Sequence, residues 1–197
     1  MRVFGLLLAA SVALTGCAAP SPFASDETVA AVSFRNEGPS TLTLLTMLNN
    51  RTDAGAHTSL VIGASERILF DPAGSFKAAG VPERNDVLFG ISPRTEQIYI
   101  SAHARSTHRV VAQTIQVTPQ QAELAYRLAL ANGPVPGAFC TSATVALLRQ
   151  IPGFEGLGST FYPANLMAEF GQLPGVETVV HRENDDPSLE AALAQLN

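Results

Sequence analysis

A thiol, an imidazole and a carboxylate are the side chains in this chain whose types and spacing suit covalent chemistry: Cys140, His57 and Asp71. Cys140 follows Gly133-Pro134-Val135-Pro136-Gly137, a rigid linker, and falls in the first turn of a helix predicted from about Phe139 to Gln150. At that place backbone N–H groups and the positive end of the helix dipole favour thiolate and lower the thiol pKa. The same N–H groups point to where an oxyanion would develop. A base is supplied by His57 if two short strands, Ser59 to Ile62 and Arg67 to Phe70, close as a hairpin across Gly63-Ala64-Ser65. With opposed positions summing to about 128, His57 faces Asp71, and directly opposed Cβ atoms lie about 4.5–5.5 Å apart. Asp71 also has a local explanation, because Asp71-Pro72-Ala73-Gly74 matches a type I turn. The two roles are compatible, since one carboxylate oxygen can cap the turn while the other takes the imidazole N–H. The competing readings are a buried Cys140 acting as a small hydrophobe and a surface His57 at a loop mouth.

Other chemistry finds less support. His103 and His108 lie five apart without a metal-site signature, and a zinc site from His57, Asp71 and Cys140 lacks any paired-ligand motif. The sequence contains no phosphate loop and no His-Glu-x-x-His. No metal or cofactor is therefore expected. A formal charge of -5 leaves no basic footprint, so nucleic acid is not an expected partner.

The elements that must position these side chains read as α+β, an antiparallel sheet packed against helices. Strands are predicted at Thr41 to Leu48, in the hairpin, at Asp86 to Ile91, Glu96 to Ala102, Thr107 to Val117 and Val176 to His181, and more weakly at Val29 to Phe34. Thr118-Pro119-Gln120-Gln121 starts a helix that runs to about Asn132 and stops at Gly133. Further helices are predicted over Pro163 to Phe170 and Pro187 to Leu196, and one helical turn near Phe76. On the hairpin, Leu60, Ile62, Ile68 and Phe70 share the more apolar face, opposite His57. A Cys140 helix on the His57 side would have only Val61 and Leu69 beneath it, unless a bulge changes the phase.

With 46% hydrophobic residues, the 197-residue chain can bury a substantial core. Arg2, the apolar run Val3 to Leu14 and then Leu14-Thr15-Gly16-Cys17 form a leader too short to span a membrane, which takes about 20 apolar residues. This stretch resembles a bacterial lipoprotein signal peptide with a lipobox. The resemblance implies cleavage after residue 16, diacylglyceryl modification of Cys17, and, with no Asp beside Cys17, an outer-membrane anchor. Residues 17–30 would be the lipidated cysteine and tether, and 31–197 a single domain. Since Cys17 and Cys140 are the two cysteines, lipidation of the first leaves Cys140 a free thiol in an oxidising compartment. If Cys17 is not lipidated, a Cys17–Cys140 disulfide is the alternative.

The order of a His, a polar residue on the next strand, then a long gap to a Cys starting a helix resembles the circularly permuted papain-like superfamily. That superfamily includes the permuted NlpC-like hydrolases and the lecithin retinol acyltransferase group. The matching stretches are Ala56-His57-Thr58-Ser59-Leu60-Val61-Ile62, Leu69-Phe70-Asp71, and Tyr126 through Phe139-Cys140-Thr141-Ser142. The resemblance implies a permuted papain-like fold, with Cys140 as nucleophile, His57 as general base and Asp71 as third polar residue. Asp is a departure at that third position, where the family often carries His, Asn, Gln or Glu. Compartment and resemblance together imply an amide in cell-wall peptide as substrate. A lipid-directed acyltransferase or esterase, and a non-catalytic envelope lipoprotein that binds a ligand or partner, are the other readings.

Overall fold

The computed structural model describes residues 22–35 and 37–184. The leader, Cys17, the start of the tether and the helix expected over 187–196 lie outside the described residues. In chain order the elements are α1 (Asp26–Val32), β1 (Thr41–Asn49), β2 (Gly55–Gly63), β3 (Arg67–Phe70), β4 (Glu83–Arg84), β5 (Val87–Leu88), α2 (Pro93–His103), β6 (His108–Gln116), α3 (Pro119–Ala131), α4 (Cys140–Leu148), α5 (Pro163–Phe170) and β7 (Glu177–His181). The fold is α+β: one seven-stranded sheet in the order β4-β5-β3-β2-β1-β6-β7, with every neighbouring pair antiparallel.

Both faces of the sheet are covered, which is why clean alternation is missing from its sequence. Leu42 and Leu44 of β1, Leu60 and Ile62 of β2 and Ile68 and Phe70 of β3 pack against α3, α4 and α5. Leu45, Met47, Val61 and Leu69 face the other way, onto Tyr99, Ile100 and Ala102 of α2 and onto Phe76 and Ile91. Each face thus carries its own apolar layer, and burial of a Leu, Ile or Phe side chain contributes roughly 1.5–3 kcal/mol.

Two expected strands are helices. Over Glu96 to Ala102 the alternation of Ile98 and Ile100 predicts a strand, yet Ser92 accepts a hydrogen bond from Thr95 N, Pro93 stands at the first helical position and Glu96 lies in the first turn. These start signals, and the burial of Tyr99, Ile100 and Ala102 on one face, decide for α2. The Ala-rich stretch at 29–34 belongs largely to α1, which Ser25 caps at Thr28 N, with Asp26 and Glu27 in the first turn. Val29 and Val32 of α1 pack on the larger core, so ordered structure begins inside the span expected as tether. Of the strand expected at Asp86 to Ile91 only Val87–Leu88 pairs, and no helical turn forms at Phe76. The helix at Pro119 has its full capping box, with Gln121 as the reciprocal partner of Thr118, and Gly133 at φ 73° follows its end.

The hairpin closes with opposed positions summing to 130 rather than 128, since Leu60 pairs Phe70 and Gly63 pairs Arg67. Its connection is the three residues Ala64 to Glu66. A slip of two keeps every side chain on its expected face, where a slip of one would have reversed them all.

Candidate active site

Extending the hairpin register one step places Ser59 across from Asp71, with His57 as the diagonal neighbour on the same face. Diagonal neighbours remain within reach of long side chains. His57 uses that reach: its Nε2 lies 2.7 Å from Asp71 Oδ1. Beside His57 the β1–β2 register shifts, with Met47 opposite His57 but Leu48 opposite Gly55, so Ala56 is the extra residue of a bulge. Bulges re-aim side chains where they occur.

Asp71 is buried, at 3% exposure, and its Oδ1 also accepts a 2.6 Å hydrogen bond from the Tyr99 hydroxyl. That hydroxyl shares a further hydrogen bond with Ser59 Oγ at 3.1 Å. The turn after Asp71 closes through Gly74 N donating to Asp71 O at 2.9 Å, but Ala73 has φ 57°. A positive φ at the third turn position is the mark of a type II turn rather than the expected type I. The carboxylate folds back over Gly74, where a Cβ would stand 1.9 Å from Asp71 Oδ2. Only glycine fits beneath it.

Cys140 arrives from the other side of the sheet. It is the first residue of α4, which packs its Val145, Leu147 and Leu148 on the Leu60, Ile62 face. The helix has therefore chosen the more apolar face, opposite His57. The two meet because β3 ends early. Pairing between β2 and β3 stops at Leu60, leaving the β2 edge before it open to side chains. There Thr58 Oγ1 and Thr141 Oγ1 are hydrogen-bonded at 3.1 Å, tying α4 to β2, and the Thr58 backbone N–H favours the Cys140 thiolate. The His57 side chain is close enough to Cys140 that each shifts the other's pKa, through hydrogen bonding and charge. With Nε2 committed to Asp71, Nδ1 is the ring nitrogen left for the thiol. No side chain caps α4, so its first-turn N–H groups are not taken by a capping oxygen.

Searches against protein-family models, curated proteins and solved structures find no match for this chain.

Burial alone would push the Cys140 thiol up, but the hydrogen bond and charge of His57, with the Thr58 N–H, bring it down to about 7. Burial likewise opposes the imidazolium, and here the hydrogen bonds to Asp71 and Cys140 win, raising His57 to about 10. Asp71 is disfavoured as an anion by burial, yet the hydrogen bonds from His57 and Tyr99 hold its pKa below the usual value. Tyr99, buried and facing the Asp71 charge, is pushed well above 10 and stays a neutral donor. Between about pH 7 and 10 these shifts favour a thiolate–imidazolium pair, the reactive form of such a dyad.

His103 also belongs to this neighbourhood. Its Nδ1 is 2.7 Å from the Tyr99 carbonyl oxygen, so that nitrogen carries the proton, and its ring lies 6.4 Å from His57 at an interplanar angle of 17°. Burial lowers its pKa, which leaves it neutral. His57 and His103 line a cleft of about 250 Å³ together with Met47, Ala56 and Ser75. Phe139, the residue before Cys140, is exposed and meets exposed Phe161 edge to face, with centroids 5.4 Å apart, and Phe161 lines an apolar cleft of about 410 Å³ along α4. Tyr99, and the placement of His103 beside His57, are hidden when the Tyr99 segment is read as a strand. Read as a helix, that segment puts Tyr99 and His103 four apart on one side. Among the described residues no group of three or more His, Cys, Asp or Glu side chains is arranged to hold a metal ion.

Proposed function

We propose that this chain is a thiol-dependent hydrolase with a permuted papain-like arrangement, carried on an outer-membrane lipoprotein that faces the periplasm. The observation that carries the reading is the grouping of Cys140 at the start of α4 with His57, which lowers the thiol pKa, and with Asp71, whose Oδ1 lies 2.7 Å from His57 Nε2. In the reaction, the Cys140 thiolate attacks an amide carbonyl and the first-turn N–H groups of α4 receive the developing oxyanion. The His57 imidazolium gives its Nδ1 proton to the leaving amine, and a thioester remains on Cys140. Neutral His57 then takes a proton from water, whose oxygen attacks the thioester and releases the acid and the free thiol. Asp71 keeps the imidazole oriented throughout, and Tyr99 keeps Asp71 oriented.

The substrate class that compartment and resemblance suggest is a cell-wall peptide. Digestion of purified cell-wall fragments by the mature protein, followed by mass spectrometry, tests this. New peptide termini should form with the wild type and not with Cys140→Ala. Equal cleavage by the two proteins, or a wild-type thiol that reacts at pH 6 no faster than a model thiol, would remove the reading. One observation favours a lipid-directed esterase instead: exposed Phe139 directly precedes Cys140, and exposed Phe161 and an apolar cleft lie along α4, the helix that Cys140 begins. Release of fatty acid from phospholipid vesicles with no cleavage of peptide would select it.

A further inference from the structure

Asp86 stands where a hairpin would prefer glycine. β4 and β5 are joined by the two residues Asn85 and Asp86, with φ 47° and 65°. Two positive φ values define a type I′ turn, for which Asn-Gly is the favoured pair because only glycine takes the second position without steric cost. A left-handed conformation is sterically unfavourable for a residue with a Cβ, though less so for Asp than for most.

The side chain is nearly buried, and its Oδ2 accepts two backbone hydrogen bonds, from Ala73 N at 3.2 Å and from Val135 N at 2.7 Å. Its carbonyl oxygen accepts a third, from Asp71 N at 2.8 Å. Ala73 belongs to the turn that orients Asp71. Val135 belongs to the linker that delivers Cys140, just before a second strained turn in which Phe139 N donates to Pro136 O and Ala138 has φ 70°. These two loops lie far apart in sequence and neither is part of the sheet. A charged acceptor binding both is stronger than a neutral one, by about a factor of two.

We propose that Asp86 is a positioning residue of the Cys140 site, fixing the Asp71 turn and the linker into α4 relative to each other through one carboxylate oxygen. This rests on the hydrolase reading of that site. Asp86 does not touch the thiol; the ionisable group facing Cys140 is His57, with Asp71, Tyr99 and His103 behind it.

Asp86→Gly separates the two possible roles, because it improves the turn while removing the clamp. Asp86→Asn keeps an acceptor oxygen and tolerates the left-handed backbone. Val135→Pro removes one donor and leaves Asp86 intact, which covers the case in which Asp86→Gly fails to fold. The measurement is the rate of Cys140 reaction with a small uncharged disulfide against pH, with folding checked by circular dichroism. Asp86→Gly and Val135→Pro should move the acid limb upward from about pH 7. Reactivity at pH 6 should then fall about tenfold for each pH unit the limb moves, before the compensating rise in nucleophilicity. Asp86→Asn should leave the limb within about half a pH unit of the wild type. An unmoved limb in folded Asp86→Gly or Val135→Pro overturns the proposal while sparing the hydrolase reading. A wild type with no limb near 7 overturns both.

Discussion

Replacing His57 with Ala should make Cys140 slower at neutral pH and faster at high pH, and the crossing is the informative part. With His57 present the thiol titrates at about 7; without it the thiol should return to about 9.0, because burial, the largest single influence, pushes upward against the remaining Thr58 and Thr141 hydrogen bonds. At pH 7 the thiolate fraction then falls from about one half to about one hundredth. The more basic thiolate is, however, the better nucleophile, by about eightfold over two pKa units at a Brønsted coefficient near 0.45. The variant should therefore react about sixfold more slowly at pH 7, about sevenfold faster at pH 10, and match the wild type near pH 8. Stopped-flow absorbance with an uncharged pyridyl disulfide reads this directly, and the urea-unfolded protein supplies the unperturbed thiol. A His57→Ala protein that keeps an acid limb near 7 and never overtakes the wild type would refute the assignment of the lowered thiol pKa to His57.

Tyr99→Phe keeps the ring against Phe76 and His103 but removes the donor to Asp71. It should cost about 1.5–3 kcal/mol in urea denaturation at pH 7, the range for a hydrogen bond to a charged group. The folded-state pKa of Asp71 lies below its usual 3.8, so this stabilisation is complete above that value and fades as pH falls through the depressed one. Equal stabilities at pH 7 would contradict it. Gly55→Ala would place a Cβ 2.6 Å from Pro163 Cβ and 2.9 Å from the Ala164 backbone nitrogen, at the start of α5. A loss of about 1–3 kcal/mol is expected from that overpacking, and a chemical-denaturation midpoint unchanged from the wild type would show that α5 is not pinned there.

Features that depend on side-chain pattern and on capping are legible in the sequence, and features that depend on backbone torsion are not. Thr118 with Gln121 announces α3, and the Pro-Gly linker announces α4 with Cys140 in its first turn. The hairpin faces are legible too, and they survive a register error because the error is even. Glu96 to Ala102 misleads because Ile98 and Ile100 alternate while Ser92 and Pro93, the residues that start the helix, lie upstream of the alternation. The loss of α2 hides Tyr99 and His103, and with them the support behind Asp71. Ala73 and Ala138 adopt left-handed backbone that alanine does not advertise, and nothing in the sequence ties the Asn85-Asp86 turn to Val135, so neither the type II turn nor the Asp86 clamp can be anticipated.

His57 and Cys140 are carried on opposite faces of one sheet, and this arrangement follows from what each side chain packs against. α4 carries Val145, Leu147 and Leu148, so it takes the face that offers Leu60, Ile62 and Phe70. His57 needs a carboxylate kept ionised out of water, and the other face supplies Asp71 held by the buried Tyr99. A continuous β3 would run between them. The chain resolves the conflict by ending β3 at Phe70 and turning immediately at Asp71-Pro72, which opens the β2 edge at Thr58 and converts the first residue after the strand into the partner of His57. The same truncation thus creates the gap for the thiol and places the carboxylate behind His57. Extending β3 by two residues would therefore remove both at once, and the sharp turn that prevents this is the one tied through Asp86 to the linker that brings in Cys140.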